Sequence, residues 1–226
     1  MSGLFITGTG TGVGKTYVGA LIAQALRKSG KRVGVYKPVA SGCEMHDGKL
    51  VSPDAVALWE AAGRPATLEQ VCPQMFAAPL APHLAARAEG RRVDSKRLRE
   101  GIDFWRESSD VVIVEGAGGL MSPISDEDYN ADLAGEFGYP LLVVSANMLG
   151  TINATLQTLI TASIFRDRLS VAGIVLNSPS RTVDDPSTSS NAEELSMRCE
   201  APLLAVVEHG GGFDRDVDWA SLCATD

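Results

Sequence analysis

Cysteine is scarce and unpaired in this chain. Cys43, Cys72, Cys199 and Cys223 form no C-x-x-C pair, and no histidine stands at zinc-ligand spacing. That argues against a zinc site and leaves free thiols in a reducing cytosol as the expected state. Positive charge is in deficit as well. The 20 basic residues face 28 acidic ones, a net charge of −8, which argues against nucleic acid as the main partner. A small anion is not excluded, because local rather than net charge binds a phosphate. No charged-then-apolar leader precedes the first strand-like run, so the expected location is cytoplasmic. No repeat or low-complexity linker divides the 226 residues, and one domain over 1–226 is expected.

One stretch lacks charge altogether. From Tyr139 to Phe165 there is no Asp, Glu, Lys or Arg. Pro140, Ser145, Asn147, Gly150, Asn153 and Gln157 interrupt it, which excludes a membrane span. A buried strand followed by a helix over about 151–165 fits better. A helix with no charged face is covered on more than one side. Sheet packing covers only one, so a second subunit is expected on another.

Continuously apolar bursts occur at 4–7, 32–36, 110–115, 140–145, 170–176 and 202–207, the pattern of strands covered on both faces. Between the first two, Val18, Leu21, Ile22, Ala25 and Leu26 mark one helix stripe that ends at Ser29-Gly30. Strand, helix, strand in that order implies an α/β fold with a mostly parallel sheet. The segment 178–190 is too polar for a core and is expected to be a loop.

The chemistry concentrates in a few motifs. "GTGTGVGKT" (8–16) follows a strand and opens a helix, the context of a phosphate loop. Its leading Gly8 stands one residue too early for the usual spacing, which would place the glycine at Thr9. Lys15 would reach the outer phosphates and the Thr16 hydroxyl would ligate Mg²⁺. "YKPVASG" (36–42) puts Lys37 at a carboxyl strand end, where ligands bind in parallel sheets, and Ser41-Gly42 in a loop that can approach one. In "VSPDA" (51–55) Ser52 reads as an N-cap and Pro53 as the first helical residue. Asp54 then complements the helix dipole or binds metal, and the residues alone leave both open. "DVVIVEGAGG" (110–119) ends an apolar strand in Glu115, an acid placed to hold Mg²⁺, with glycines at 116, 118 and 119 beside it. Amides of 150–153 at the next helix start form an anion site or an ordinary cap.

Together these motifs resemble the dethiobiotin synthase family. That family's loop, Gly-Thr-x-Thr-x-Val-Gly-Lys-Thr, matches 8–16, so the extra residue is its own spacing. "YKPVASG", "VEGAGG" (114–119), "LGTIN" (149–153) and Pro82-His83 match as well, and the likeness runs to about Asn177. It implies a three-layer P-loop NTPase-type fold, a homodimer, and ATP with Mg²⁺. The implied reaction carboxylates 7,8-diaminononanoate (7,8-diaminopelargonate) with CO₂ and closes a cyclic urea.

The resemblance also implies residue roles. Lys37, Lys15 and Thr11 are catalytic, and Thr16, Asp54 and Glu115 hold metal. Gly8, Thr9, Gly12, Val13, Gly14, Tyr17, Gly116, Ala117 and Gly118 join the nucleotide site, and Asn177 reads the base. Ser41 and Gly118 bind substrate, and Gly150, Thr151, Ile152 and Asn153 of the neighbouring subunit receive its tail carboxylate. Gly12 stands where some members carry an acid, and "VVEHGGGFDRD" (206–216) lacks the Pro-aromatic pair expected beside the base. A partner-driven ATPase switch would share the sheet and loop, but it carries a second lysine where Gly10 stands.

Overall fold

A computed structural model describes residues 2–181 and 185–224. β1 (Gly3–Gly8) leads through the glycine loop into α1 (Lys15–Lys28) and on to β2 (Val33–Tyr36). An exposed hairpin follows, β3 (Glu44–His46) and β4 (Lys49–Val51), then α2 (Pro53–Ala61). Four short helices, α3 (Leu68–Val71), α4 (Pro82–Ala88), α5 (Ser95–Glu100) and α6 (Asp103–Ser108), lead to β5 (Val111–Gly119). The rest alternates: α7 (Asn130–Phe137), β6 (Leu141–Ala146), α8 (Thr151–Ile164), β7 (Val171–Asn177), α9 (Asn191–Arg198), β8 (Leu203–Val207) and α10 (Trp219–Leu222).

Six strands form one parallel sheet in the order β2-β5-β1-β6-β7-β8. The central strands β5, β1 and β6 are buried along most of their length. Leu4, Phe5, Ile6, Ile113, Val114, Leu142 and Val143 are fully buried, as strands with helices on both faces must be. Because every strand runs the same way, all six carboxyl ends meet one rim, where an open α/β sheet binds its ligand. Between β1 and β5 the register jumps from Ile6–Glu115 to Gly8–Gly119. Residues 116–118 therefore leave the ladder just beyond Glu115, next to the glycine loop. Among the described residues no helix is long and apolar enough to cross a membrane.

The uncharged segment forms β6 and α8, as its composition predicts. Ser145 Oγ lies 2.7 Å from Thr151 Oγ1 and 2.8 Å from Thr155 Oγ1, which ties the helix to the sheet without a charge. The rest of α8 is not enclosed by its own chain: Ile160 is 57% and Ile164 73% exposed.

Away from the rim, Arg99 clamps two acids. It reaches Asp128 at 2.7 Å and Glu136 at 2.6 Å, while Ser95 and Ser125 hydroxyls also donate to Asp128. The Arg99 hydrogen bond, helped by the two serines, outweighs burial and holds the Asp128 carboxyl down to about 2. A depressed carboxylate contributes stability that is complete above its unfolded pKa and is lost as pH falls through the folded one. Arg99→Met should therefore lower stability at neutral pH by roughly 1 kcal/mol, given solvent screening at the partly exposed guanidinium. The gap to wild type should shrink as pH falls from about 4 toward 2. Urea unfolding at several pH values checks both; a gap constant across that window would reject the pair as its source.

Candidate active site

The glycine loop is shaped by two left-handed residues. Gly12 has φ +76° and Gly14, the N-cap of α1, has φ +92°. These are conformations that residues with a Cβ adopt only with strain. They curl the backbone around the start of α1, where unpaired N–H groups and the helix dipole favour an anion. Lys15 is buried at that start, with Nζ 3.3 Å from the Gly10 carbonyl oxygen. Burial lowers its pKa and Lys37 adds to the effect, although Glu115 opposes both.

The next three residues come from three different elements. Lys37 follows the last residue of β2, Asp54 sits in the first turn of α2, and Glu115 lies inside β5. Ser52 caps α2 by accepting from the Ala55 N–H at 3.2 Å, and Pro53 fills the first helical position. Asp54 is thereby presented toward the rim. Lys37 Nζ donates to Asp54 Oδ2 at 2.8 Å and makes a very short contact with Glu115 Oε1. Burial works against the Lys37 ammonium, but Glu115 and Asp54 outweigh it, so its pKa rises and the charge persists. Burial also works against the Asp54 carboxylate, yet Lys37 and the Thr16 hydroxyl win, and its pKa falls. Thr16 Oγ1 donates to Glu115 Oε1 at 3.0 Å. Glu115 Oε2 is buried with no hydrogen-bond partner among the described residues.

These groups surround a cavity of about 540 Å³. Thr11, Gly12, Gly14, Lys15, Thr16 and Tyr17 line one side, and Lys37, Ser41, Asp54, Glu115, Ala117 and Gly118 line another. Asn177 lines its far end with Ser178, Pro179, His209 and Gly210. The sequence reading missed those last four, since turn residues carry no chemical signature. Topology could have found them: β7 and β8 are expected neighbours in a parallel sheet, so the residues after each reach the same rim. Tyr17 Oη donates to the Gly211 carbonyl at 2.7 Å and closes this end. Asn130 was missed too. Its amide nitrogen donates to the Ala117 and Gly119 carbonyls and its oxygen accepts from the Ala117 N–H, fixing the loop after Glu115.

Several expected residues stand elsewhere. Gly8 and Thr9 face a neighbouring groove beside α8, where Thr9 Oγ1 meets Ser145 Oγ at 3.3 Å. Val13 is buried, and its carbonyl accepts from Asn177 Nδ2 at 2.9 Å. Asn177 thus braces the loop. Gly116 packs under Asn130, whose Oδ1 would lie 2.7 Å from any Cβ there. Gly150, Thr151, Ile152 and Asn153 do not line the cavity. Thr151 also commits its N–H to the Met148 carbonyl at 3.1 Å, so of the four amides expected at an anion site this one is already taken. His83 sits on α4 away from the cavity, with Nδ1 buried and without a partner among the described residues.

Among the described residues no three His, Cys, Asp or Glu side chains cluster as a metal cage. Two carboxylates and a hydroxyl are nonetheless what Mg²⁺ takes from a protein when phosphates and water complete its shell. Glu115 Oε2, buried and without a partner among the described residues, fits such a cation.

A parallel sheet, a glycine loop opening a helix at Lys15 and Thr16, and an acid on the adjoining strand define a phosphate-loop nucleotide enzyme. The AAA domain family matches residues 2–215. The fold is similar to the septum site-determining protein MinD of Pyrococcus horikoshii, at TM-score 0.54 and 18% identity over 92% of this chain and 81% of that one. It is also similar to a ParA family ATPase of Chlorobium tepidum, at TM-score 0.53 and 17% identity over 91% and 82%. Sequence comparison is more specific. The ATP-dependent dethiobiotin synthetase BioD of Rhodopirellula baltica is 44% identical over 92% of this chain and 84% of its own length. Those of Anaeromyxobacter dehalogenans (44%, covering 92% and 90%) and Aromatoleum aromaticum (38%, covering 96% and 95%) agree. The chain belongs to the ATP-dependent dethiobiotin synthetase family, and is an ATP-using ligase that forms C–N bonds.

Proposed function

We propose that this chain carboxylates 7,8-diaminononanoate with CO₂ and closes dethiobiotin, the penultimate step of biotin biosynthesis, releasing ADP and phosphate. One substrate amine captures CO₂ as a carbamate. The carbamate oxygen attacks the γ-phosphorus of ATP, forming a carbamic–phosphoric anhydride as ADP leaves. The second amine then attacks the anhydride carbon and expels phosphate. Alongside family membership, one observation carries this reading: Lys37 is a second buried cation at the open side of the phosphate loop, fixed between Asp54 and Glu115.

Negative charge spreads over carbamate and phosphoryl oxygens as this reaction proceeds, so positioned cations are the main catalytic device. Lys15 and the loop amides would hold the phosphates, with Thr11 beside them. Lys37 would face the oxygens that gain charge, and Ser41 and Gly118 would orient the carbamate end. Thr16, Asp54 and Glu115 would hold Mg²⁺, which when bound neutralises phosphate charge. Asn177 and the turns at Ser178 and His209 would form the base end.

The tail carboxylate would reach Gly150, Ile152 and Asn153 of a second subunit, across the exposed apolar face of α8. Gel filtration giving a monomer at micromolar concentration would remove that placement. The experiment for the reaction is phosphate release from ATP and Mg²⁺ with and without the diamine and bicarbonate. Release that requires the diamine, with a product that feeds a biotin auxotroph, is the expected result. Release indifferent to the diamine would overturn it.

A further inference from the structure

The lead-in to α8 is held in an unusual way. Met148 and Leu149 point outward, 49% and 80% exposed, so apolar burial does not fix this segment. Hydrogen bonds do. Asp185 Oδ2 accepts from the Leu149 N–H at 2.8 Å, while its Oδ1 accepts from the Ser187 N–H and hydroxyl at 3.0 and 2.6 Å. Asn191 is buried, and its amide nitrogen donates to Asn147 Oδ1 at 2.9 Å and to the Met148 carbonyl at 3.3 Å. The Asn147 N–H in turn donates to the Asn177 carbonyl at 2.7 Å. Asn177 is the residue that braces the phosphate loop through Val13.

From these contacts we infer that Asp185 and Asn191 are positioning residues for the α8 N-terminus. They form a bracket that holds the amides at 150–153 in one fixed conformation, ready to meet a substrate held in the second subunit's cavity. Asp185 acts through the Leu149 amide and does not touch substrate. The inference rests on the reading that the Gly150, Ile152 and Asn153 amides receive the tail carboxylate. An ordered amide set binds an anion without the entropy cost of arranging itself first. Freed from Asp185, the Leu149 amide loses its acceptor and the last residue before the helix is held only through Asn147 and Met148 behind it, and the cost returns as weaker substrate binding.

The test uses the full chain. Asp185 is at the surface, so Asp185→Ala is expected to fold. It should raise KM for the diamine about tenfold, the scale of one charge-assisted hydrogen bond. KM for ATP and kcat should stay within about twofold, since the phosphate loop is untouched. Asp185→Asn keeps one acceptor oxygen and should recover part of the loss. In hydrogen exchange, the Leu149 and Thr151 amides, which have acceptors in this stretch, should exchange faster in Asp185→Ala than in wild type. An unchanged diamine KM, or diamine and ATP KM rising together, would overturn the positioning role. If wild type fails to turn over the diamine, the functional reading falls and exchange alone decides. Unaltered protection of Leu149 and Thr151 then overturns the bracket, and faster exchange supports it.

Discussion

Replacing Lys37 with glutamine is expected to lower kcat at least about 100-fold, the scale of removing one donor from a site where charge develops. KM for ATP should change by no more than about threefold, because loop amides and Lys15 hold the phosphates in ground and transition states alike. The prediction follows from where Lys37 is held. Its ammonium is buried and paired with Asp54 and Glu115, yet it lines the same cavity as Lys15 and Ser41. The ion pairs keep it charged and leave it little freedom to move. Glutamine also strands the fully buried Glu115 carboxylate, and breaking a buried pair from one side costs about 3–5 kcal/mol. Stability must therefore be separated from chemistry. The double variant Lys37→Met with Glu115→Gln removes both charges, so it should recover much of the thermal midpoint without recovering turnover. Single-turnover phosphate release, run well below each variant's midpoint, measures the chemical step. Near-normal turnover in Lys37→Gln would refute the catalytic assignment, whatever happened to stability.

Much of this site could be read along the chain because its parts are local. Lys15 and Thr16 follow directly from a strand and a glycine turn. Lys37 and Glu115 close or follow apolar runs, and Asp54 sits after a Ser-Pro helix start. A parallel sheet then brings strand ends together without further information, and these residues do converge. The hairpin at β3 and β4 was not legible, since its residues are mostly exposed and show no apolar alternation. The short helices before β5 carry too few turns to print a period. Strand order is set by long-range pairing, which no local pattern records. Asn177 shows the limit within the site. Its position after an apolar strand predicts that it reaches the rim, but not that its amide is turned into the glycine loop. Nor do Asp185 and Asn191 announce themselves, because Asp and Asn in a polar loop look the same whether or not they brace anything. Glu115 is the opposite case. An acid ending a buried strand is costly without a partner, and the structure supplies Lys37 and Thr16.

Gly14→Ala is expected to weaken nucleotide binding at least about 100-fold, because two separate costs fall on one loop. The first is conformational: Gly14 has φ +92°, and a residue with a Cβ held in such a region costs about 1–3 kcal/mol. The second is steric. A Cβ at this position would lie 2.1 Å from Asn177 Nδ2, closer than any nonbonded contact allows. Asn177 is buried at the end of β7 and donates to the Val13 carbonyl, so relief means breaking that bond or moving the loop. Losing a buried bond of this kind costs about 1–3 kcal/mol. Gly10→Ala is the matched control, since a Cβ there meets nothing within 4 Å. It should bind a non-hydrolysable ATP analogue within a few fold of wild type by calorimetry, as surface changes usually do. Gly14→Ala combined with Asn177→Ala separates the two costs. If the clash dominates, Gly14→Ala costs less affinity in an Asn177→Ala background than in wild type. If backbone strain dominates, it costs the same in both, because the left-handed turn is still demanded of an alanine. Wild-type affinity in Gly14→Ala would mean that the loop reshapes freely, and the glycine spacing would then not set the phosphate site.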